Sequence, residues 1–212
     1  MEPQTLNYLI WQKERGLTYS PSMYRSASKE KSFEESLRES SFSCRKCSLA
    51  VNRQTPLWGT GSADCKVAFV GDLCDQANVT DNVLPGNQFE LLGKIISAIK
   101  LSLEEVFVCN LLLCPGDINN LSPQNHLACR EYFLAQMTAA SPQFIVTMGE
   151  LATQNITGRC ASLDSAAGEW ARYTLNPEIR VMPIFHPRDM IIEPKLKIKT
   201  WAGLQKLMTQ LP

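Results

Sequence analysis

The 212-residue sequence has no excess charge and no long apolar run. Its 21 basic and 21 acidic residues cancel, so only local basic patches, and not the field of the whole protein, could attract nucleic acid. No stretch approaches the roughly 18 consecutive apolar residues of a membrane span. The first residues place Trp11, Lys13 and Glu14 where a signal peptide has its apolar run. We therefore expect a cytoplasmic protein without a membrane partner.

Eight cysteines are many for a protein of a reducing compartment, where metal sites are commoner than disulfides. Cys44 and Cys47 form a Cys-x2-Cys pair in a turn-prone stretch, while Cys114 and Cys129 bracket a loop and the start of a helix. Four thiolates suit either tetrahedral zinc or a four-iron, four-sulfur cluster, and the wide second spacing slightly favours the cluster. A scatter of buried cysteines that bind nothing is the remaining alternative.

Short apolar segments alternate with amphipathic ones from residue 65 onward. Four segments have the length and composition of buried strands: 66–72, 106–110, 144–148 and 180–185. Helical spacing is found over residues 89–99, 123–140 and 201–208. This alternation predicts a three-layer α/β/α domain with a central parallel sheet of about four strands. We expect the domain to span residues 41–212, preceded over residues 1–40 by a short helix and a polar linker.

Polar residues and glycines come directly after the predicted strands. Gly71 and Asp72 follow the first strand, Asn110 ends the second, Gly149 follows the third and His186 follows the fourth. The carboxyl ends of parallel strands meet at one edge of the sheet, where ligands bind. The functional site is therefore expected at this edge.

Several spaced motifs resemble the family 4 type of the uracil-DNA glycosylase superfamily over residues 43–212. The Cys44-x2-Cys47 pair, the segment Asn110-Leu-Leu-Leu-Cys114-Pro and Cys129 are similar to that family's iron–sulfur pattern. Its C-terminal motifs are similar to His186-Pro187, to Pro194-Lys195 and to the Trp-containing helix over 201–204.

The resemblance implies a hydrolase that removes uracil, or a related deaminated base, from DNA during base excision repair. It also implies a structural 4Fe-4S cluster on Cys44, Cys47, Cys114 and Cys129. DNA is then the principal partner of a monomeric protein, and a replication or repair protein is a further partner.

The chemistry of base removal gives each candidate residue a role. The amide of Asn110 can both donate to and accept from the edge of a flipped base. An imidazole N–H of His186 can stabilise the departing base anion, and Asp72 can orient the attacking water or stabilise the sugar cation. Gly71 and Leu84 are expected to line the base pocket.

Two motifs depart from the family pattern. The family's Gly-Glu-Ala/Gly-Pro-Gly reads Gly71-Asp-Leu-Cys-Asp75 here, and Leu84 stands where the family has an aromatic residue that stacks on the base. These departures favour an alternative: a catalytically impaired iron–sulfur relative that binds DNA or a protein. A zinc module unrelated to glycosylases is a third hypothesis.

A basic cluster follows His186 in the sequence. It is predicted to contact the DNA backbone and consists of Arg188, Lys195, Lys197 and Lys199.

Overall fold

The computed structural model describes residues 33–51, 55–75, 83–158 and 162–211. The short helix predicted near residues 6–11 lies outside these ranges. Within them, no helix combines the length and the apolar character needed to cross a bilayer.

One mixed sheet organises the described chain. Its strands are β1 (Thr60–Gly61), β2 (Val67–Gly71), β3 (Val106–Asn110), β4 (Phe144–Met148), β5 (Ala171–Arg172) and β6 (Arg180–Ile184). They lie in the order β1-β3-β2-β4-β6-β5. The four longer strands are parallel, while β1 and β5 pair antiparallel at the two edges. The predicted parallel sheet of four strands is confirmed, and the two edge strands were not predicted because two residues carry no alternation of hydrophobicity.

Helices cover both faces of the sheet. Those in the described ranges are α1 (Phe33–Phe42), α2 (Gly86–Ala98), α3 (Pro123–Ala140), α4 (Glu150–Thr157), α5 (Leu163–Ala166), α6 (Pro187–Ile192) and α7 (Leu196–Met208). Apolar side chains of α3 and α4 share one core cluster with the sheet, and those of α2 and α7 share another. The arrangement is the predicted three-layer α/β/α fold.

Alternation along the strands explains the two core clusters. In β2, Ala68 and Val70 contribute to the cluster under α3, whereas Val67 and Phe69 contribute to the cluster under α2. Successive side chains of a strand point to opposite faces. A strand buried on both faces is therefore apolar throughout, as the sequence of β2 is.

The first described helix joins the N-terminal cysteine pair to the domain. Helix α1 packs against α3, and the Nε1 of Trp58 donates a hydrogen bond to Ser41 Oγ at 2.9 Å. The expected boundary at residue 40 falls within α1. Packing of α1 on α3 brings Cys44, which follows α1, towards the helix that carries Cys129.

Replacing Leu92 by Ala tests the core on the α2 face. Leu92 is fully buried, so the substitution should lower the free energy of unfolding by about 2–5 kcal/mol. Leu103→Ala is the matched control, because Leu103 is 46% exposed and its loss should cost less than about 0.5 kcal/mol. Urea unfolding measures both, and equal costs would contradict the assigned core.

Candidate active site

The strand register brings three predicted site residues together. Gly71 at the end of β2 is the parallel partner of Asn110 at the end of β3. A Cβ on Gly71 would lie 2.4 Å from Asn110 Oδ1 and 3.5 Å from His186 Nε2. The amide oxygen and the imidazole nitrogen therefore converge on the bare Cα of Gly71. A side chain at this position would displace them, which explains the need for glycine.

The amide of Asn110 is fixed in one orientation. Its Nδ2 donates to the backbone carbonyl of Val83 at 2.6 Å. Its Oδ1 is buried and has no hydrogen-bond partner among the described residues. A buried acceptor left without a partner costs free energy, which makes this oxygen a candidate contact for the N–H of a bound ligand.

The imidazole of His186 is held as a donor beside that acceptor. As the N-cap of α6, its Nδ1 accepts the backbone N–H of Arg188 at 3.1 Å. Burial, assisted by the positive charge of Arg188, lowers the pKa of His186 from 6.5 to about 3. The neutral ring with Nδ1 as acceptor carries its proton on Nε2. This Nε2 is buried and lacks a partner in the described ranges.

Asp72 is a buried carboxylate directly after Gly71 in the chain. Its Oδ1 accepts the N–H of Ala152 at 2.7 Å, and its Oδ2 lies 3.9 Å from Arg188 Nη2. Burial raises the pKa of Asp72 from 3.8 to about 7, against the opposing effects of the Ala152 N–H and of Arg188. A carboxylate that titrates near neutral pH is suited to general-base chemistry.

The same carboxylate caps helix α4. Gly149, the N-cap of α4, has no side chain to cap the helix, and Asp72 accepts from the third helical residue in its place. A Cβ on Gly149 would lie 2.6 Å from Asp72 Oδ2, and its φ of +101° is a conformation that favours glycine. Gly149 thus permits the close approach of Asp72.

Asp72 opens onto a cleft of about 790 Å³. Besides apolar and neutral polar residues, the cleft is lined by the basic side chain of Arg188 and by five acidic side chains: Asp72, Glu150, Asp164, Asp189 and Glu193. Among its described lining residues Arg188 is the single basic one. Two of the five carboxylates, Asp164 and Glu193, are paired with Lys199 and Lys195.

Leu84 lies in the core of the domain. Its side chain is fully buried and packs in the cluster under α2, as does that of Val83. The segment that carries Leu84 is tied to Asn110 through the Val83 carbonyl.

The four predicted ligand cysteines line one cavity. Cys44 and Cys47 reach it from the loop after α1, Cys114 from the loop after β3, and Cys129 from α3. Tyr132 completes the wall on α3. The sulfur of Cys129 also accepts the N–H of Leu113 at 3.3 Å, a contact of the kind that stabilises ligand sulfur in iron–sulfur proteins.

Three contacts tie the Cys44–Cys47 loop to α3. Asn125 belongs to the capping box that begins α3, and its Nδ2 donates to Ser48 Oγ at 3.1 Å. Lys46 forms an ion pair with Glu131, and its Nζ lies 5.5 Å from the centroid of the Tyr132 ring. The two halves of the cysteine set are therefore held together by the fold itself.

Four thiol side chains around one cavity are the ligand set of either a tetrahedral zinc ion or a four-iron, four-sulfur cluster. In the part of the chain that the structure describes, no group of three or more His, Cys, Asp or Glu side chains is arranged to hold a single metal ion.

The predicted basic cluster is spread over α6, α7 and the loop between them. Lys195 forms an ion pair with Glu193, and Lys199 lies 3.0 Å from Asp164. Lys197 is exposed, whereas the side chain of Arg188 is 23% exposed and faces Asp72. The four side chains thus differ in their freedom to contact a phosphate.

Sequence reasoning missed the groups that hold the site in place. The Val83 carbonyl and the Ala152 N–H are backbone groups, which leave no residue-type signal. Helix α4 was not predicted, although Gly149 directly after a strand and Gly158 at the C-cap are signals that could have revealed it.

Replacing Asp72 by Asn tests the raised pKa of the carboxyl group. Because the folded protein binds this proton more tightly than the unfolded chain, the contribution of Asp72 to stability is lost as pH rises from about 4 to about 7. Asp72→Asn should therefore gain a few kcal/mol relative to the wild type between pH 5 and pH 8. The lowered pKa of His186 acts in the other direction, because it costs the folded protein stability as pH falls below 6.5. That contribution is the same in the wild type and in Asp72→Asn. Urea unfolding at the two pH values measures the gain, and an unchanged difference would contradict it.

A family model supports the resemblance noted in the sequence. The model of the uracil-DNA glycosylase superfamily matches residues 58–205, well over half of the chain. The match includes β1 to β6 and the residues that converge on Gly71.

Curated relatives extend the likeness. A type-4 uracil-DNA glycosylase of Archaeoglobus fulgidus is 26% identical over 181 residues, which are 78% of this chain and 86% of the relative. Proteins of the same name from Thermotoga maritima and Saccharolobus solfataricus are 27% and 28% identical over 151 and 165 residues. These matches cover 70% and 73% of this chain and 78% and 75% of the relatives. Together, the family match and the site at the carboxyl ends of the parallel strands show that the chain belongs to the uracil-DNA glycosylase superfamily.

Proposed function

We propose that the protein is a uracil-DNA glycosylase, which hydrolyses the N-glycosidic bond of uracil or a related deaminated base in DNA. The observation that carries this proposal is the buried pair of Asn110 Oδ1 and His186 Nε2, neither of which has a partner among the described residues. Membership of the superfamily and relatives named type-4 uracil-DNA glycosylase support the same activity.

The polarity of the pair fits the edge of uracil. Asn110 Oδ1 is an acceptor and the Nε2 of neutral His186 is a donor, so the ligand should present an N–H and a carbonyl oxygen close together. Uracil has both at its N3 and at its flanking carbonyls. Burial strengthens these hydrogen bonds, because the local dielectric is low.

A neutral His186 is suited to stabilising the leaving group. When the glycosidic bond breaks, the base departs as an anion with charge on its carbonyl oxygens. The Nε2–H of His186 can donate to that charge, and its position is fixed in advance by the bond from the Arg188 N–H to Nδ1. A donor that needs no reorganisation at the moment of reaction is the effective kind.

Asp72 can act on the water that attacks the sugar. Its carboxylate lines the open cleft, from which water has access, and its pKa near 7 leaves much of it ionised at neutral pH. Ionised Asp72 would orient the water and stabilise positive charge at C1′. We therefore assign catalytic roles to Asp72 and His186, and base-binding roles to Asn110 and Gly71. A base-lining role for Leu84 stays a prediction from the sequence, because its side chain packs in the core cluster under α2.

The cavity lined by Cys44, Cys47, Cys114 and Cys129 is the proposed site of a 4Fe-4S cluster. Four cysteine thiols around one cavity and the Leu113 N–H on Cys129 support such a centre, the resemblance to the family 4 type favours the cluster, and zinc is the alternative. When bound, the cluster would join the loop after α1 to α3 and supply cross-linking, since hydrolysis of the base needs no electron transfer.

DNA is the proposed partner, and its backbone is proposed to contact the basic cluster Arg188, Lys195, Lys197 and Lys199. Two of the lysines already have acidic neighbours, so we expect a modest salt dependence of binding. We further propose a cytoplasmic monomer with a catalytic domain over residues 41–212, which a replication or repair protein could recruit.

The alternative of a catalytically impaired relative is not favoured. It was prompted by the altered motif after β2 and by Leu84, yet the donor and acceptor beside Gly71 are both present and the curated relatives are named as glycosylases.

His186→Ala tests the proposed activity. Release of uracil from a labelled oligonucleotide should fall by about 10²–10³-fold, since one preorganised donor to the leaving group is removed. His126→Ala is the matched control: His126 lines a separate cavity with Leu111 and Arg130, so this variant should retain the wild-type rate. Wild-type protein that releases no uracil, or equal rates in all three proteins, would refute the proposal.

Cys129→Ser tests the proposed cluster. The anaerobically purified wild type should be brown and contain about four irons per chain, whereas the variant should lose colour and iron. Cys65→Ser, which alters a buried cysteine outside the cavity, should remain brown. Zinc in place of iron, or retention of iron by the Cys129 variant, is the contradicting outcome.

A further inference from the structure

We propose that Arg188 is a positioning residue for the reaction, whose guanidinium keeps the buried Asp72 carboxylate in its ionised form. This role is additional to the proposed contact with DNA and rests on the proposed function of Asp72. Arg188 follows the His-Pro pair at the start of α6, and the sequence alone places it in the basic cluster with three lysines.

The burial of Asp72 creates the need for such a residue. The side chain of Asp72 is 2% exposed, and the hydrogen bond that its Oδ1 accepts comes from the neutral N–H of Ala152. A carboxylate removed from water takes up a proton unless positive charge lies near. The protonated form could not accept a proton from water.

Arg188 is placed to supply this charge. Its Nη2 lies 3.9 Å from Asp72 Oδ2, and its Nε lies 3.4 Å from Asp189 Oδ1, which orients the guanidinium. At this separation and in a partly dry environment the Coulomb attraction remains substantial. Among the described residues that line the cleft, Arg188 alone is basic.

The other charged neighbours act in the opposite direction. Glu150 at the start of α4 and Asp189 on α6 both raise the pKa of Asp72, whereas Arg188 lowers it. Arg188 is therefore the one charged neighbour that favours the ionised carboxylate.

Arg188→Gln separates this role from the others. The substitution removes the guanidinium and leaves the backbone N–H that binds His186 Nδ1. An opposite charge at this distance changes a carboxyl pKa by about 1–3 units, so the pKa of Asp72 should rise by about one unit or more in the variant. Arg188→Lys retains a charge at shorter reach and should give a smaller rise.

Carbon-13 NMR titration of the Asp72 carboxyl, assigned by its loss in Asp72→Asn, measures this change without any substrate. An Asp72 pKa that is the same in the wild type, Arg188→Gln and Arg188→Lys would overturn the inference. If Arg188→Gln does not fold, the comparison of Arg188→Lys with the wild type decides. Because no base is released in this experiment, its outcome is independent of whether the protein proves to be a glycosylase.

The pH profile of uracil release is the second readout. In Arg188→Gln, kcat/KM should fall about tenfold or more near pH 6 and approach the wild-type value near pH 9, because the acid limb moves to higher pH. Lys195→Gln is the matched control, since it removes a basic side chain of the same cluster without contacting Asp72. Lys195→Gln should lower kcat/KM by the same factor at every pH. If Arg188→Gln also lowers kcat/KM by a factor that does not depend on pH, Arg188 contacts phosphate alone and the inference is wrong.

Discussion

The parallel pairing of β2 with β3 and β4 is the constraint on which the proposed site depends. This register sets Gly71 opposite Asn110, and β6 beyond β4 delivers His186 to the same edge. The absence of a side chain on Gly71 lets the acceptor and the donor converge. A slip of one residue would turn each side chain to the other face of the sheet. The apolar pattern that fixes the core therefore also fixes where the candidate catalytic side chains lie.

Burial affects the two candidate catalytic groups differently, because each is driven to its uncharged form. For His186, removal from water favours the neutral ring, which is the form able to donate from Nε2 to a base anion. For Asp72, removal from water favours the protonated acid, which is the form unable to assist a water molecule. The N–H of Ala152 and the guanidinium of Arg188 oppose the protonation of Asp72. The contacts of Arg188 with both residues therefore link the two halves of the proposed reaction.

Local pattern allowed much of this structure to be predicted. Apolar runs, and the glycines and polar residues that end them, predict the four parallel strands, helix α3 and the residues at the strand ends. The cysteine set is predicted by its spacing together with the family resemblance. What escaped prediction depends on distant contacts. The β1 and β5 strands are too short to carry a pattern, and the capping of α4 by Asp72 joins residues 80 positions apart. The contact of Arg188 with Asp72 is visible only once the fold brings α6 to the residue after β2. The fold also places Leu84 deep in the core, a location that its alignment with a stacking aromatic does not convey.

The proposed base site requires a fixed acceptor on Asn110 and a neutral donor on His186 beside Gly71. Nitrogen-15 NMR of the His186 ring reports the protonation of that donor. We expect a neutral ring protonated on Nε2 from pH 5 to pH 8, with an Nε2–H resonance that shifts when free uracil is added. A ring that titrates near its ordinary value of about 6.5, or an Nε2–H resonance unaffected by uracil, would contradict it.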